Sequence, residues 1–201
     1  MSTPSIFRSI TVFLARASGL ALLSGAALAH PGHEVSSNML LSGLTHPLTG
    51  MDHLFAMLAV GLWAALTHKS VSSALWTPVS FLCLLLVGAL LGLAGFTLPA
   101  MEPMIMGSLL VLGLLVASRL ALPNWAGAAL VGFFALFHGM AHGAELPLGG
   151  SAAAFIAGFM ATTLALHVSG LVAGFSMQRS VWLTRLLGAG IAAYGVALIA
   201  A

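Results

Sequence analysis

From Trp125 to Glu145 the chain reads WAGAALVGFFALFHGMAHGAE, an uncharged apolar run that ends in two histidines and a glutamate. A run of this kind belongs in hydrocarbon, where about 20 residues make one helical crossing. Ionisable groups at or near hydrocarbon are costly and persist mainly where a polar cargo or partner needs them. A second such cluster, His46-Pro47-Leu48-Thr49-Gly50-Met51-Asp52-His53, stands at the head of another apolar run.

The rest of the chain is as apolar as that helix. Of 201 residues, 60% are hydrophobic and 5% charged, against roughly 25% charged in an ordinary soluble domain. The class is therefore all-α integral membrane, with room for one bundle of six transmembrane helices. Breaks at Gly, Pro and polar clusters place the spans at about Leu48 to Leu66, Ser73 to Gly95, Met104 to Leu120, Trp125 to His142, Ala152 to Met177 and Val181 to Ala200. Pro47 is expected at the first turn of the first span, where its missing N–H costs nothing.

Residues 1–29 read as a cleaved signal peptide. Arg8 and Arg16 flank the start of an apolar stretch that ends in Ala27-Leu28-Ala29, a small-x-small cleavage site. Residues 30–201 then form a single transmembrane domain beginning at His30. Losing Arg8 and Arg16 removes the whole formal charge of +2, so the basic balance implies no nucleic-acid partner and leaves no patch to bind one.

With the mature N-terminus outside, Lys69, Arg119, Arg179 and Arg185 fall at cytoplasmic ends, and Glu34, Asp52, Glu102 and Glu145 at the outer side. This is the positive-inside pattern, and it puts both termini of the mature chain on the periplasmic side of a bacterial inner membrane. Both histidine–acid clusters come out on the outer side at similar depth and can share one site. Gly88/Gly92, Gly139/Gly143 and Gly170/Gly174 are small-xxx-small pairs that let helices approach closely in lipid. An inverted relation between spans one to three and four to six is open, although no similarity between the halves carries it. A homo-oligomer is compatible with the composition.

His138 and His142, four apart, share one helical face, and Glu145 rejoins it if the helix continues past Gly143. Two imidazoles and a carboxylate suit a divalent ion of intermediate hardness such as Ni²⁺, Co²⁺ or Zn²⁺. On a continuous helix His46 and His53 would stand roughly 10 Å apart along the axis, too far for one ion. Pro47 is expected to relieve this by letting the chain fold back toward Asp52 and His53, with Asp52 either binding the ion or orienting an imidazole.

Other residues are weaker candidates. His30 and His33, beside Glu34, would make a capture site at the mature N-terminus. Met101, Met104 and Met106 beside Glu102 resemble a soft-ligand cluster for Cu(I), but such methionines are more often packing. His167, deep in the fifth span, either relays cargo or satisfies a hydroxyl such as that of Ser169. His68 beside Lys69 reads as a solvated turn, and Cys83 has no cysteine partner within the chain. The chain has no His-Glu-x-x-His, Gly-x-Ser-x-Gly or P-loop signature, so no enzymatic activity is expected and ATP does not drive transport through this chain alone. A different class stays open: paired intramembrane histidines could ligate haem in an electron carrier, though haem leaves Asp52 and Glu145 without a role.

The His-x5-Asp-His of His46, Asp52 and His53, together with Phe137-His138-Gly139-Met140-Ala141-His142-Gly143-Ala144-Glu145, resembles the signatures of the HupE/UreJ family. The resemblance extends over essentially the whole mature chain, including a leader followed by His-Pro-Gly-His-Glu, and neither motif departs from the pattern. It implies a bacterial permease for nickel or cobalt serving hydrogenase or urease maturation, with metal-handling roles for His46, Asp52, His53, His138, His142 and Glu145. It does not choose among nickel, cobalt and copper, and names no delivery partner.

Overall fold

The computed structural model describes residues 38–146 and 150–201. The expected leader at 1–29 and the candidate ligands His30 and His33 lie outside the described residues. Within them every regular element is a helix: α1 (Met39–Thr49), α2 (Met51–Thr67), α3 (Val71–Ala74), α4 (Trp76–Leu93), α5 (Met101–Ser118), α6 (Asn124–Glu145), α7 (Gly150–Ser176) and α8 (Val181–Ala200). Hydrocarbon supplies no partner for a bare N–H or C=O, so a helix that satisfies its own backbone is the natural form for such runs. Five helical stretches are long and apolar enough to cross a membrane, counting α3 and α4 as one, and the bent pair α1 and α2 makes a sixth if taken together.

The breaks have local causes. Pro78 has no N–H to offer Ala74 four residues back, which separates α3 from α4 at Leu75 although that residue stays helical in its backbone. Ser70 caps the short α3 by accepting from Ser73 N–H. α5 ends where Arg119 turns into the left-handed region, φ 54, and Pro123 precedes α6. The observed limits of α8 coincide with those expected from sequence, and α6 runs on through Gly143 to Glu145.

The first span departs from expectation. Pro47 does not open it; Pro47 is buried inside α1, and the chain breaks instead at Gly50, an extended residue (φ −89, ψ 114) at which α1 and α2 meet at 77°. Pro47 deprives α1 of one backbone bond and glycine is among the poorest helix formers; with α1 docked on α7 through Gly43, the turn falls on Gly50 and not on Pro47. Its carbonyl already accepts from Leu54 N–H in α2.

Three helix pairs carry the bundle: α4 with α6, α5 with α8, and the α1/α2 unit with α7. Glycines make each possible. A Cβ on Gly88 or Gly92 would collide with the Leu136 or Met140 carbonyl of α6, and one on Gly139 or Gly143 with the Leu85 or Ala89 carbonyl of α4. Gly61 and Gly170 do the same between α2 and α7, Gly43 and Gly158 between α1 and α7, and Gly113 and Gly188 between α5 and α8. Exchanging the first three spans for the last three leaves this set of pairs unchanged, as an inverted repeat requires. α2 is the most enclosed helix, buried almost throughout from His53 to Ala65.

The two ends of the bundle differ in chemistry. At one end Arg119 donates to the Gln178 carbonyl at 2.6 Å, Gln178 donates to Ala65 O, and Trp63 donates to Leu120 O. These contacts gather the turns after α2, α5 and α7. Trp76, Trp125 and Trp182 are exposed at the first turns of α4, α6 and α8 at that end, the position of interfacial aromatic anchors; Arg185 lies over the Trp182 ring. We call this the basic end. His68 belongs to it and is not a free turn residue: half-buried, it meets Ala64 O at 2.8 Å through Nδ1 and the Asn124 amide at 3.0 Å through Nε2. Asp52, Glu102 and Glu145 mark the opposite, acidic end.

Gly88→Leu should therefore destabilise the α4/α6 pair by about 1–3 kcal/mol or more, while Gly107→Leu, where nothing lies within 4 Å of an added Cβ, should stay within about 0.5 kcal/mol of wild type. Thermal midpoints of the detergent-purified variants test this; equal midpoints would show that the close approach is not what holds the pair.

Candidate metal centre

Near the acidic end, the bend at Gly50 turns α1 back so that His46 faces the first turn of α2. Their rings, seven residues apart in sequence, come to 5.2 Å between centroids. α6, held against α4 by its glycines, brings in His142 at 4.5 Å from the His46 ring and 4.7 Å from the His53 ring. One nitrogen from each of His46, His53 and His142 lies within 4.8 Å of the others. Two nitrogens bound to one ion at about 2.0–2.1 Å stand no more than about 4 Å apart, a spacing that the trio approaches.

Asp52 is hydrogen-bonded to one member of this trio. Its Oδ1 accepts from His53 Nδ1 at 2.9 Å, which fixes the tautomer and leaves the Nε2 lone pair facing His142, 2.6 Å away. A carboxylate behind an imidazole raises its basicity and holds its ring in place. Of the two roles open to Asp52 from sequence, the geometry is that of the orienting group. A Cβ on Gly50 would press on Asp52 Oδ1 and His53 Nδ1, so glycine serves here for closeness as well as for the bend.

His138 is one turn further from the acidic end than His142 and fully buried. Its Nδ1 donates to the Phe134 carbonyl at 2.9 Å, which directs a lone pair out of Nε2, and that atom is buried without a partner. Its ring lies 5.6 Å from that of His53. The pairing expected within α6 is thus divided: His142 joins the trio and His138 stands beneath His53. Glu145 is 77% exposed, with Oε2 4.0 Å from His142 Nδ1, at the rim of the site. His46 Nε2 is also buried and unpartnered. Leaving a buried acceptor unpaired costs about 1–3 kcal/mol, a cost that a bound cation removes.

The aromatic wall was not anticipated. Phe159 of α7 packs 5.2 Å from His142 and 5.7 Å from His46, and Phe155 lies 5.7 Å from His46. Their spacing of four places both on one face of α7, a signal visible in sequence but indistinguishable there from ordinary packing. Met101, Met104 and Met106 are half-buried along α5, with Glu102 exposed beside them. Ser169 is exposed and donates to Ala165 O, so it is not the partner of His167.

The family described as HupE / UreJ protein matches residues 18–198. The chain is also similar to Protein HupE of Rhizobium leguminosarum bv. viciae, 38% identical over 185 residues that span 90% of this chain and 94% of that protein. No solved structure matches.

If Asp52 acts through His53, Asp52→Ala should weaken metal binding by about 10–100-fold, with Asp52→Asn intermediate because its amide oxygen can still accept from Nδ1. Calorimetric titration of purified protein with Ni²⁺ reads both; wild-type affinity in Asp52→Ala would remove Asp52 from the site.

Proposed function

The chain belongs to the HupE/UreJ family, and we propose that it is a permease carrying a divalent transition metal, nickel before cobalt or copper, from the acidic end of the bundle to the basic end. The observation that carries this reading is the convergence of His46, His53 and His142 in a charge-poor helical bundle. Imidazole donors suit Ni²⁺ and its neighbours in hardness better than Mg²⁺ or Ca²⁺. The three rings, backed by Asp52 and walled by Phe155 and Phe159, replace part of the hydration shell while the ion enters low dielectric. Glu145 at the rim and the segment holding His30 and His33 would meet the ion first.

Direction follows from the charge asymmetry. Placing the basic end in the cytoplasm satisfies the positive-inside rule and puts the metal trio on the periplasmic side of the inner membrane, with the C-terminus there as well. A doubly charged ion moving inward then gains about 4–5 kcal/mol per 100 mV of inside-negative potential, enough for accumulation without ATP. The imported metal would supply maturation of a hydrogenase or urease. Haem fits the geometry poorly, because the His53 and His142 rings that would flank a macrocycle meet directly at 2.6 Å.

Initial-rate uptake of radioactive Ni²⁺ by cells expressing the protein, with Co²⁺, Cu²⁺ and Zn²⁺ as competitors, tests the function and ranks the metals. His53→Ala and His142→Ala should each lower uptake at least about tenfold, the loss expected when a charge-assisted bond of about 1.5–3 kcal/mol is removed, at unchanged membrane levels. Undiminished uptake in either variant would overturn the three-histidine site.

A further inference from the structure

His167 is the second fully buried histidine of the bundle, and the trio does not use it. It lies on α7 nearer the basic end, at 0% exposure, and neither Nδ1 nor Nε2 has a hydrogen-bond partner. A leucine would fill such a position at no polar cost, whereas an unpaired buried nitrogen loses its hydration with nothing in return. Its ring stands edge-on to Phe81, 4.9 Å between centroids. The same Phe81 lies 6.1 Å from the ring of His138, which in turn lies 5.6 Å from His53. One side chain therefore separates the deepest imidazole of the outer site from His167.

Two hydroxyls extend the series. Thr163, one turn toward the acidic end on the same face of α7, has a buried Oγ1 without a partner, and so has Thr77, one turn from Phe81 toward the basic end on α4. Buried threonines in lipid-embedded helices readily return their hydroxyl to a carbonyl of the preceding turn, as Thr184 does here. His138, Thr163, His167 and Thr77 thus hold free lone pairs where apolar packing would be cheaper, in a series that descends from the metal trio toward the basic end.

We propose that His167 is an inner metal-binding station on the transport route, reached from His138 past the Phe81 ring, with the Thr163 hydroxyl one turn away on the same face of α7 as a further polar group along the route. The proposal rests on the permease reading and adds a second site to it. An ion crossing about 30 Å of hydrocarbon needs partners beyond the outer trio, and an imidazole in mid-bundle is a ligand of the same class. Phe81, in contact with both imidazoles, closes the gap between stations until its ring turns aside.

The test compares His167→Leu, His167→Cys and His142→Ala for Ni²⁺ uptake in cells and, after purification, for thermal midpoint and ions bound per chain. His167→Leu should keep or raise the midpoint, retain the tight outer site, bind one ion fewer and lose at least about tenfold in uptake, equivalent to about 1.4 kcal/mol; His167→Cys, with a thiolate ligand, should recover part of the uptake. Wild-type uptake in His167→Leu would overturn the inner station and leave the outer site standing. A loss accompanied by a lowered midpoint and not relieved by cysteine would overturn it as well, in favour of a packing role. Failure of the permease reading is distinguishable, because uptake would then be unaffected by His142→Ala.

Discussion

Helices in lipid gain little by hiding apolar surface from one another, since the hydrocarbon around them is equally apolar. What holds this bundle is the close approach of backbones, and glycine sets where it occurs. Gly139 and Gly143 lie on α6 among His138, His142 and Glu145, and they dock on the Leu85 and Ala89 carbonyls of α4. The packing face and the chemical face are thus parts of one short segment. Depth and rotation of α6 are fixed by contacts that tolerate no side chain, and His142 reaches His53 because of them.

The second constraint is the bend at Gly50. Without it, His46 would project a full two turns from His53. With it, α1 lies at 77° to α2 and is tied to α7 by Gly43 against the Phe155 backbone and by Thr162, which donates to Leu44 O at 2.8 Å. α7 therefore supports the site twice, from behind α1 and through Phe155 and Phe159. Asp52, at the first turn of α2, completes the assembly by fixing the His53 tautomer.

Much of this was legible in the chain. Apolar runs and their breaks gave the last five spans to within about three residues but missed α1 (Met39–Thr49) as a helix, and the 46-to-53 spacing showed that a straight helix could not bring its two histidines to one ion. The position of the bend was not legible, because Pro47 and Gly50 are both plausible breakers and the choice depends on α1 docking against α7. The partner of His53 was equally hidden. His138 and His142 share a face, and only the depth of α6 against α4 decides which of them arrives. His167 could be found as an oddity but not as an unpaired one, since the absence of partners is a property of the packed bundle. Glycine pairs signalled close approach without saying to whom, because a small-xxx-small pattern carries no address.

All four tryptophans sit toward the basic end, three of them exposed at helix starts. No tryptophan stands among the described residues at the acidic end, where α1 lies steeply across α2. Indole anchors fix the height of a bundle relative to one leaflet. The bundle is thus registered to the membrane from its basic end alone. The depth of the three imidazoles beneath the opposite surface is then set by the lengths of α2 and α6, measured from that end.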